Sequence, residues 1–495
     1  MTTKVQALTI ITLGATLMLA PAQPPPAAQT APPLSPTEQT IKDIKNPAKW
    51  ISWGADMRIR NEYFNSLLTL NNTAPLHEQD YFRFRGRLWT SLMPLDGLSL
   101  NARLAAEPRE WLKPAGYTPY AGDTGLDWRE GIVDNLNVEY KNIGGLPLMI
   151  KVGRQDFIPG RDSLAGDGWL ISDGTPQDGS WTYFLDAARA AYEIKDLNTK
   201  VEVMGLIQCA HDDAWLPTIN PQDYLLTDQN EWGAVFQVAN TSIKKANLTG
   251  YFVYKDDSRI NTVPTGSRAA GDNAEIYTLG ARVNAMLDDH WGYWIEGAYQ
   301  FGRKADPKVQ YPEATAGSLD YRDLAAYGFN SRVSYLFKDK YNNKLDFSFE
   351  LLSGDDPSTE DDEMFDSLWG RWPRWSEIGL YSSAPEARIG QQANLIRFGP
   401  TWTVNPTKPM EFSASYYPLF ALEGTATRGV PTLFAGNAGS PRAGEFRGHF
   451  ITAVLKYKFS QHMNGHLWSE FLFPGNYYAN RDPMSFLRAE IMFTF

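Results

Sequence analysis

Arg83, Arg85 and Arg87 stand at alternate positions in the run YFRFRGRLW. On a β-strand that spacing puts all three guanidinium groups on one face. Neighbouring like charges repel unless carboxylates, or an anion from outside, lie among them. Arginine presents a planar fork of donors that stays charged and matches the two oxygens of a carboxylate. A row of arginines therefore suits an anion that carries carboxylates. The same alternation brings Arg58, Arg60, Arg103, Arg189 and Arg488 onto such faces. Acidic residues share these rows, among them Asp56, Glu62, Glu107, Glu193, Glu202, Glu470 and Glu490. Two readings stand side by side: the arginines meet a solute, or they pair with carboxylates on neighbouring strands and brace the sheet.

A second constellation lies in SGDDPSTEDDEMFDSLWGRWPRWSE, residues 353–377. Trp369, Trp372 and Trp375 offer faces on which sugar rings stack. Asp355, Asp356, Asp361 and Asp362 are oxygen donors for a calcium ion, although their spacing is not that of an EF-hand. The plain alternative is a loop packed over or into the body it belongs to. Catalysis finds no support. The six histidines (77, 211, 290, 449, 462 and 466) show no serine partner within strand reach, and neither GxSxG nor a glycine-rich phosphate loop occurs. The single Cys209 excludes an internal disulfide and a cysteine-based zinc site. No cofactor or metal is expected. A net charge of −11 argues against a nucleic-acid partner.

The elements that carry these residues are strands. Alternation of apolar and polar side chains recurs over roughly 8–12 residues, as in GADMRIRNEYF, LSLNARLAAE and NKLDFSFELL. Eighteen such segments are expected, from 51–64 to 486–495. Tight turns such as Pro94–Gly97 and Lys338–Lys340 alternate with long polar connections such as 157–184 and 354–392. An even count with short and long connections in turn is the pattern of a transmembrane antiparallel β-barrel, with short periplasmic turns and long extracellular loops. Ten residues tilted by about 40° span roughly 25 Å, the height of an outer-membrane apolar band. Tyr63, Tyr140, Tyr254, Tyr335, Tyr416 and Tyr457 fall near the ends of apolar faces, where an aromatic girdle belongs. In FLRAEIMFTF, Leu487, Ala489, Ile491, Phe493 and Phe495 are expected toward lipid, with Arg488 and Glu490 toward the lumen. Residues 1–22 read as a secretory signal peptide with an Ala20-Pro21-Ala22 site, and 23–48 as a Pro/Ala-rich segment. Within that segment Ser35 caps a short helix over 36–44. The barrel is expected over 49–495, in the outer membrane of a Gram-negative bacterium.

Five stretches resemble the alginate-export barrel family in order and spacing: IKVGRQDF, LDAARAAYE, the 353–377 segment, SEFLFPGNYY and the closing FLRAEIMFTF. The resemblance runs over roughly 50–495. It implies an 18-stranded outer-membrane barrel with an electropositive lumen that passes a polyuronate. Arg154 matches the family's Gly-Arg-Gln motif. Simple alternation from Lys151 sends Arg154 toward lipid, at roughly 2–4 kcal/mol, so a bulge at Gly153 is expected to turn it inward. The terminal Phe495 resembles a recognition signal for the outer-membrane assembly machinery. The reading is a monomeric channel for anionic polysaccharide or oligosaccharide. Its alternatives are a general or uptake porin for small anions, and an adhesive barrel that binds through its loops.

Overall fold

The computed structural model describes residues 35–66, 70–74, 77–113, 126–127, 131–156, 185–209, 229–243, 246–259, 273–305, 321–356, 358–366, 368–369, 375–377, 393–424, 444–478 and 480–495. Its strands in chain order are β1 (Ile51–Asn65), β2 (Glu78–Leu95), β3 (Leu98–Ala106), β4 (Arg109–Lys113), β5 (Leu126–Asp127), β6 (Gly131–Lys141), β7 (Leu148–Gln155), β8 (Leu185–Ile194), β9 (Thr199–Gln208) and β10 (Asn230–Asn240). They continue as β11 (Ala246–Ser258), β12 (Ala274–Met286), β13 (Trp291–Ala305), β14 (Tyr321–Leu336), β15 (Lys344–Leu352), β16 (Leu395–Thr407), β17 (Met410–Phe420), β18 (Phe446–Lys458), β19 (Met463–Pro474) and β20 (Met484–Thr494). Eighteen of these form one closed antiparallel wall. Each pairs with its neighbour in sequence, β3 passes directly to β6, and β20 closes on β1. The two short strands β4 and β5 form a side hairpin on the upper end of β2.

Burial identifies the solvent on each side. On β15, Asp346 and Glu350 are buried, while Leu345 and Phe347 are 42% and 52% exposed. On β1, Asp56, Arg58, Arg60 and Glu62 are buried and Met57 is exposed. A soluble sandwich has the opposite pattern, apolar in and charged out. Apolar side chains outside and charged ones inside are stable only where lipid surrounds the wall. On β20 the expected rows hold: Leu487, Ile491 and Phe493 are exposed, and Phe486 and Arg488 are buried.

Aromatic side chains edge the outer band. At the long-connection end, Trp232, Tyr254, Tyr277 and Phe301 run across β10 to β13 with ring centroids 5.1–5.4 Å apart. At the short-turn end, Trp291 and Phe337 flank Tyr335 at 4.7 and 4.9 Å. Trp291 and Phe301 lie on the same strand, about ten residues apart, which is roughly 25 Å of tilted strand.

The short turns follow local chemistry. Gly97 takes φ +77°, and an added Cβ there meets the Lys141 carbonyl. In the β14–β15 turn, Asp339 accepts from the backbone N–H groups of Tyr341 and Asn343. The Asn343 N–H in particular holds the Asp339 carboxyl below the usual carboxylate range. Preceding the barrel in sequence, α1 (Pro36–Lys45) starts at a capping box: the Ser35 hydroxyl accepts from the Glu38 N–H, and the Glu38 carboxylate accepts from the Ser35 N–H.

Candidate functional site

The inner rows of β1, β2 and β20 build one continuous charged surface. Their register sets Arg58 opposite Arg85, and Arg60 between Arg83 and Glu490. Glu62 is the hub. It accepts from Arg60 and Arg83, each at 3.2 Å, and from Arg488 Nε at 2.8 Å. Glu107, just past β3, accepts from Arg58 at 2.6 Å and from Arg83 Nε at 2.9 Å. Glu490 takes Arg60 Nε at 2.7 Å. Asp56 takes Arg87 Nε at 2.9 Å and, more loosely, Arg85 at 3.5 Å. The repulsion within the Arg83–Arg85–Arg87 row is thus relieved by the chain's own carboxylates. Arg58, Arg60, Arg83, Arg85 and Arg488 keep at most 3% of their side-chain exposure. Removing one carboxylate from such a network strands a buried cation, at a cost of about 3–5 kcal/mol.

The segment between β15 and β16 reaches this surface from within, where Glu377 meets Arg488. It begins along the upper edge of β14, where Asp362 N–H donates to the Asp323 carbonyl and the Asp362 carbonyl accepts from Ala325 N–H. Arg322 clamps Asp355 at 2.8 Å and lies 3.8 Å from Asp362. The chain then turns inward. Gln300, fully buried on the inner row of β13, grips the Asp366 backbone twice: its amide donates to the Asp366 carbonyl at 2.6 Å, and its carbonyl accepts from the Asp366 N–H at 2.8 Å. The Asp366 carboxylate lies 3.7 Å from both Lys255 and Lys304. Farther along, Trp375 sits against Arg397 at 5.0 Å and edge-on to Phe450 at 5.1 Å. Glu377 accepts from Arg488 at 3.0 Å, and its N–H donates to Glu470 at 2.8 Å. Ser376 donates to the same carboxylate at 3.0 Å. The segment therefore grips both the β11–β13 wall and the β19–β20 wall from inside the barrel.

This path reassigns several candidates. Glu470 is fully buried and anchors the segment. Trp369 is buried against Gly233, and Trp375, partly buried, packs against Arg397 and edge-on to Phe450. Trp372 lies outside the described residues. Asp355 and Asp362 face Arg322, and among the described residues no cluster of three side chains suits a metal ion. Phe495 hydrogen-bonds to Ala55 on β1 and packs on Trp53.

The remaining arginines are partly open. Arg103 donates to Asp134 at 2.7 Å and to both oxygens of Asp156 at 3.0 Å. Arg189 donates to Glu202 at 2.7 Å. Arg87, Arg103 and Arg189 keep 19%, 15% and 19% of their side-chain exposure. Glu193 is exposed near the short-turn end of β8.

Arg154 corrects an expectation. The register of β7 with β6 and β8 runs through Gly153 without an extra residue, so the expected bulge is absent. Gly153 instead adopts φ +119°, with an added Cβ meeting the Leu136 carbonyl. Arg154 donates through two nitrogens to Asp186, its cross-strand partner, at 2.9 and 3.0 Å, and to the Val133 carbonyl at 3.1 Å. Asp186 belongs to the row of the exposed Ala188 and Tyr192, opposite Arg189. Arg154 is fully buried, unlike Ile150 and Val152 on its nominal row, and Asp186 neutralises its charge.

Residues 49–490 match the sequence pattern described as alginate export. The chain belongs to the alginate export family. Membership and the closed wall make this alginate-export-family protein an outer-membrane channel. Its fold is similar to that of a doubly substituted OccD1 (OprD) at 11% identity and TM-score 0.50, over 90% of this chain and 95% of that one. It also aligns with Pseudomonas aeruginosa OpdK, in a structure with vanillate, at 10% identity and TM-score 0.49, over 90% and 98% of the two chains. Pseudomonas putida OprB aligns at 12% identity and TM-score 0.46, over 93% and 96%. No curated protein sequence matches the chain.

Proposed function

We propose that the channel passes anionic saccharides by diffusion, acting as a monomer. The observation that carries this reading is the family match over 49–490. Inner-wall chemistry supports it, with a division of labour among the arginines. Arg87, Arg103 and Arg189 retain exposure and can exchange a carboxylate of the wall for one on a solute. Arg58, Arg60, Arg83, Arg85 and Arg488 act through them, as the rigid backing of the wall. Arg154 is read as a wall residue beside Asp186.

A porin for small anions is the second reading, favoured by the in-folded segment, which takes up lumen cross-section. Planar-bilayer recordings separate the two. Anion-selective current that is interrupted by uronate oligomers supports the saccharide channel. Anion-selective current indifferent to oligomers supports the small-anion porin. Cation-selective current unchanged by oligomers sinks both.

A further inference from the structure

The short-turn mouth carries a set of inward-facing lysines. Four strands place a lysine at or near their outermost inward-facing position: Lys141 on β6, Lys200 on β9, Lys344 on β15 and Lys456 on β18. Around the eighteen-stranded wall, β6 and β15 are nine strands apart, and so are β9 and β18. The lysines therefore form two opposed pairs across the opening. Their side chains are 58%, 44%, 34% and 58% exposed. Each ammonium has a carboxylate partner: Glu139 at 2.6 Å, Glu202 at 3.4 Å, Asp346 at 2.8 Å and Glu411 at 3.0 Å. Three of these partners lie one inward-facing step deeper on the same strand; Glu411 faces Lys456 across the β17–β18 pair.

Several of the carboxylates are already engaged by a second donor. Glu139 also lies 3.6 Å from Lys151, Glu202 accepts from Arg189 and Gln237, and Asp346 accepts from Ser334. Glu193 stands across from Lys200 in the β8–β9 register. Glu139, Glu202 and Asp346 are thus shared among several donors, with exposed lysines beyond them, while Glu193 and Glu411 stand level with Lys200 and Lys456. The Lys456–Glu411 pair, exposed on both sides, is worth only about 0–1 kcal/mol, so exchanging that partner for an incoming carboxylate is nearly free. The other three ammonium groups are exposed beside more buried carboxylates. A ring of such groups at a low-dielectric mouth raises the local concentration of an anion and its entry rate.

We propose that this ring is a capture site for polyanionic chains entering from the short-turn side, with Lys151 and Arg189 as the next cations along the wall. The idea rests on the anionic-saccharide reading and adds an entry side to it. Its distinguishing consequence is asymmetry, because deeper charges act on a chain from either side.

The test uses the full-length protein in planar bilayers, inserted with known sidedness, with uronate oligomers added to one side at a time. The variant is K141Q/K200Q/K344Q/K456Q. A K338Q/K340Q variant in the β14–β15 turn controls for lost charge at that end of the barrel. The expected result is faster block from the short-turn side in the native protein. In the quadruple variant the on-rate from that side falls about tenfold, within the range seen for electrostatic steering, while block from the other side and in the control is unchanged. The native advantage should also shrink with added salt. Equal block from both sides, insensitive to the four substitutions, overturns the capture site and leaves the saccharide channel standing. No block from either side overturns the saccharide reading, and the capture site with it.

Discussion

The β1–β2–β20 wall and the short-turn mouth both pair cations with carboxylates, yet they differ in every consequence. In the wall, Glu62 alone serves Arg60, Arg83 and Arg488, all nearly without exposure. At the mouth the carboxylates are shared as well, yet each lysine stays open to water. A buried shared carboxylate fixes geometry, because its removal leaves charges with nowhere to go. An exposed pair fixes little and exchanges readily. The number of arginines on a strand is thus a poor guide to what a solute touches. Exposure is the better guide.

The largest effect should come from the hub. Glu62→Gln is expected to lower stability in detergent by about 3–5 kcal/mol, read as a shifted urea midpoint. A single mouth substitution such as Lys456→Gln should move the same midpoint by about 1 kcal/mol or less. If the two variants unfold alike, the contrast between wall and mouth collapses.

Loosening the anchor of the in-folded segment should come next. Glu470→Ala removes the acceptor for Ser376 and for the Glu377 N–H, hydrogen bonds to a charged group worth about 1.5–3 kcal/mol each. Higher and noisier single-channel conductance is the expected outcome. Native-like conductance would mean that the segment is held without this contact. Gly153→Ala forces a side chain into φ +119° against the Leu136 carbonyl, and about 1–3 kcal/mol of lost stability is expected from thermal unfolding. The smallest effect concerns selectivity. Arg87→Gln, at a part-exposed position, should reduce anion preference in reversal-potential measurements, whereas Arg85→Gln should leave it nearly unchanged. The reverse order would place the solute path against the buried row.

The wall was legible because one rule governs it. Strict alternation, as in LDFSFEL, must put one row toward lipid and the other toward the interior, so strand number, closure and facing could be read residue by residue. The in-folded segment obeys no local rule. Gln300 is one more polar residue on an alternating strand, and nothing near it in sequence points to Asp366. Arg83 and Arg87 look alike in sequence, yet Arg83 bridges two buried carboxylates, Glu62 and Glu107, whereas Arg87 pairs with Asp56 and keeps more exposure. The Gly153 expectation failed for a related reason. Alternation revealed the problem of a cation on the outer row, but its solution, Asp186, lies thirty-two residues away on β8.

The upper part of β14 has a further consequence. β15 pairs with it only from Gly328 onward, leaving Tyr321–Tyr327 as a bare edge. Ser353 and Asp362 hem that edge: Ser353 bonds to the Tyr327 backbone in both directions, and Asp362 does the same across Asp323 and Ala325. Unhemmed, such an edge is a template for sticking to another chain. The segment that narrows the lumen is therefore also a seam in the wall, and cutting it out to widen the pore would leave a barrel prone to clump before it reached the membrane.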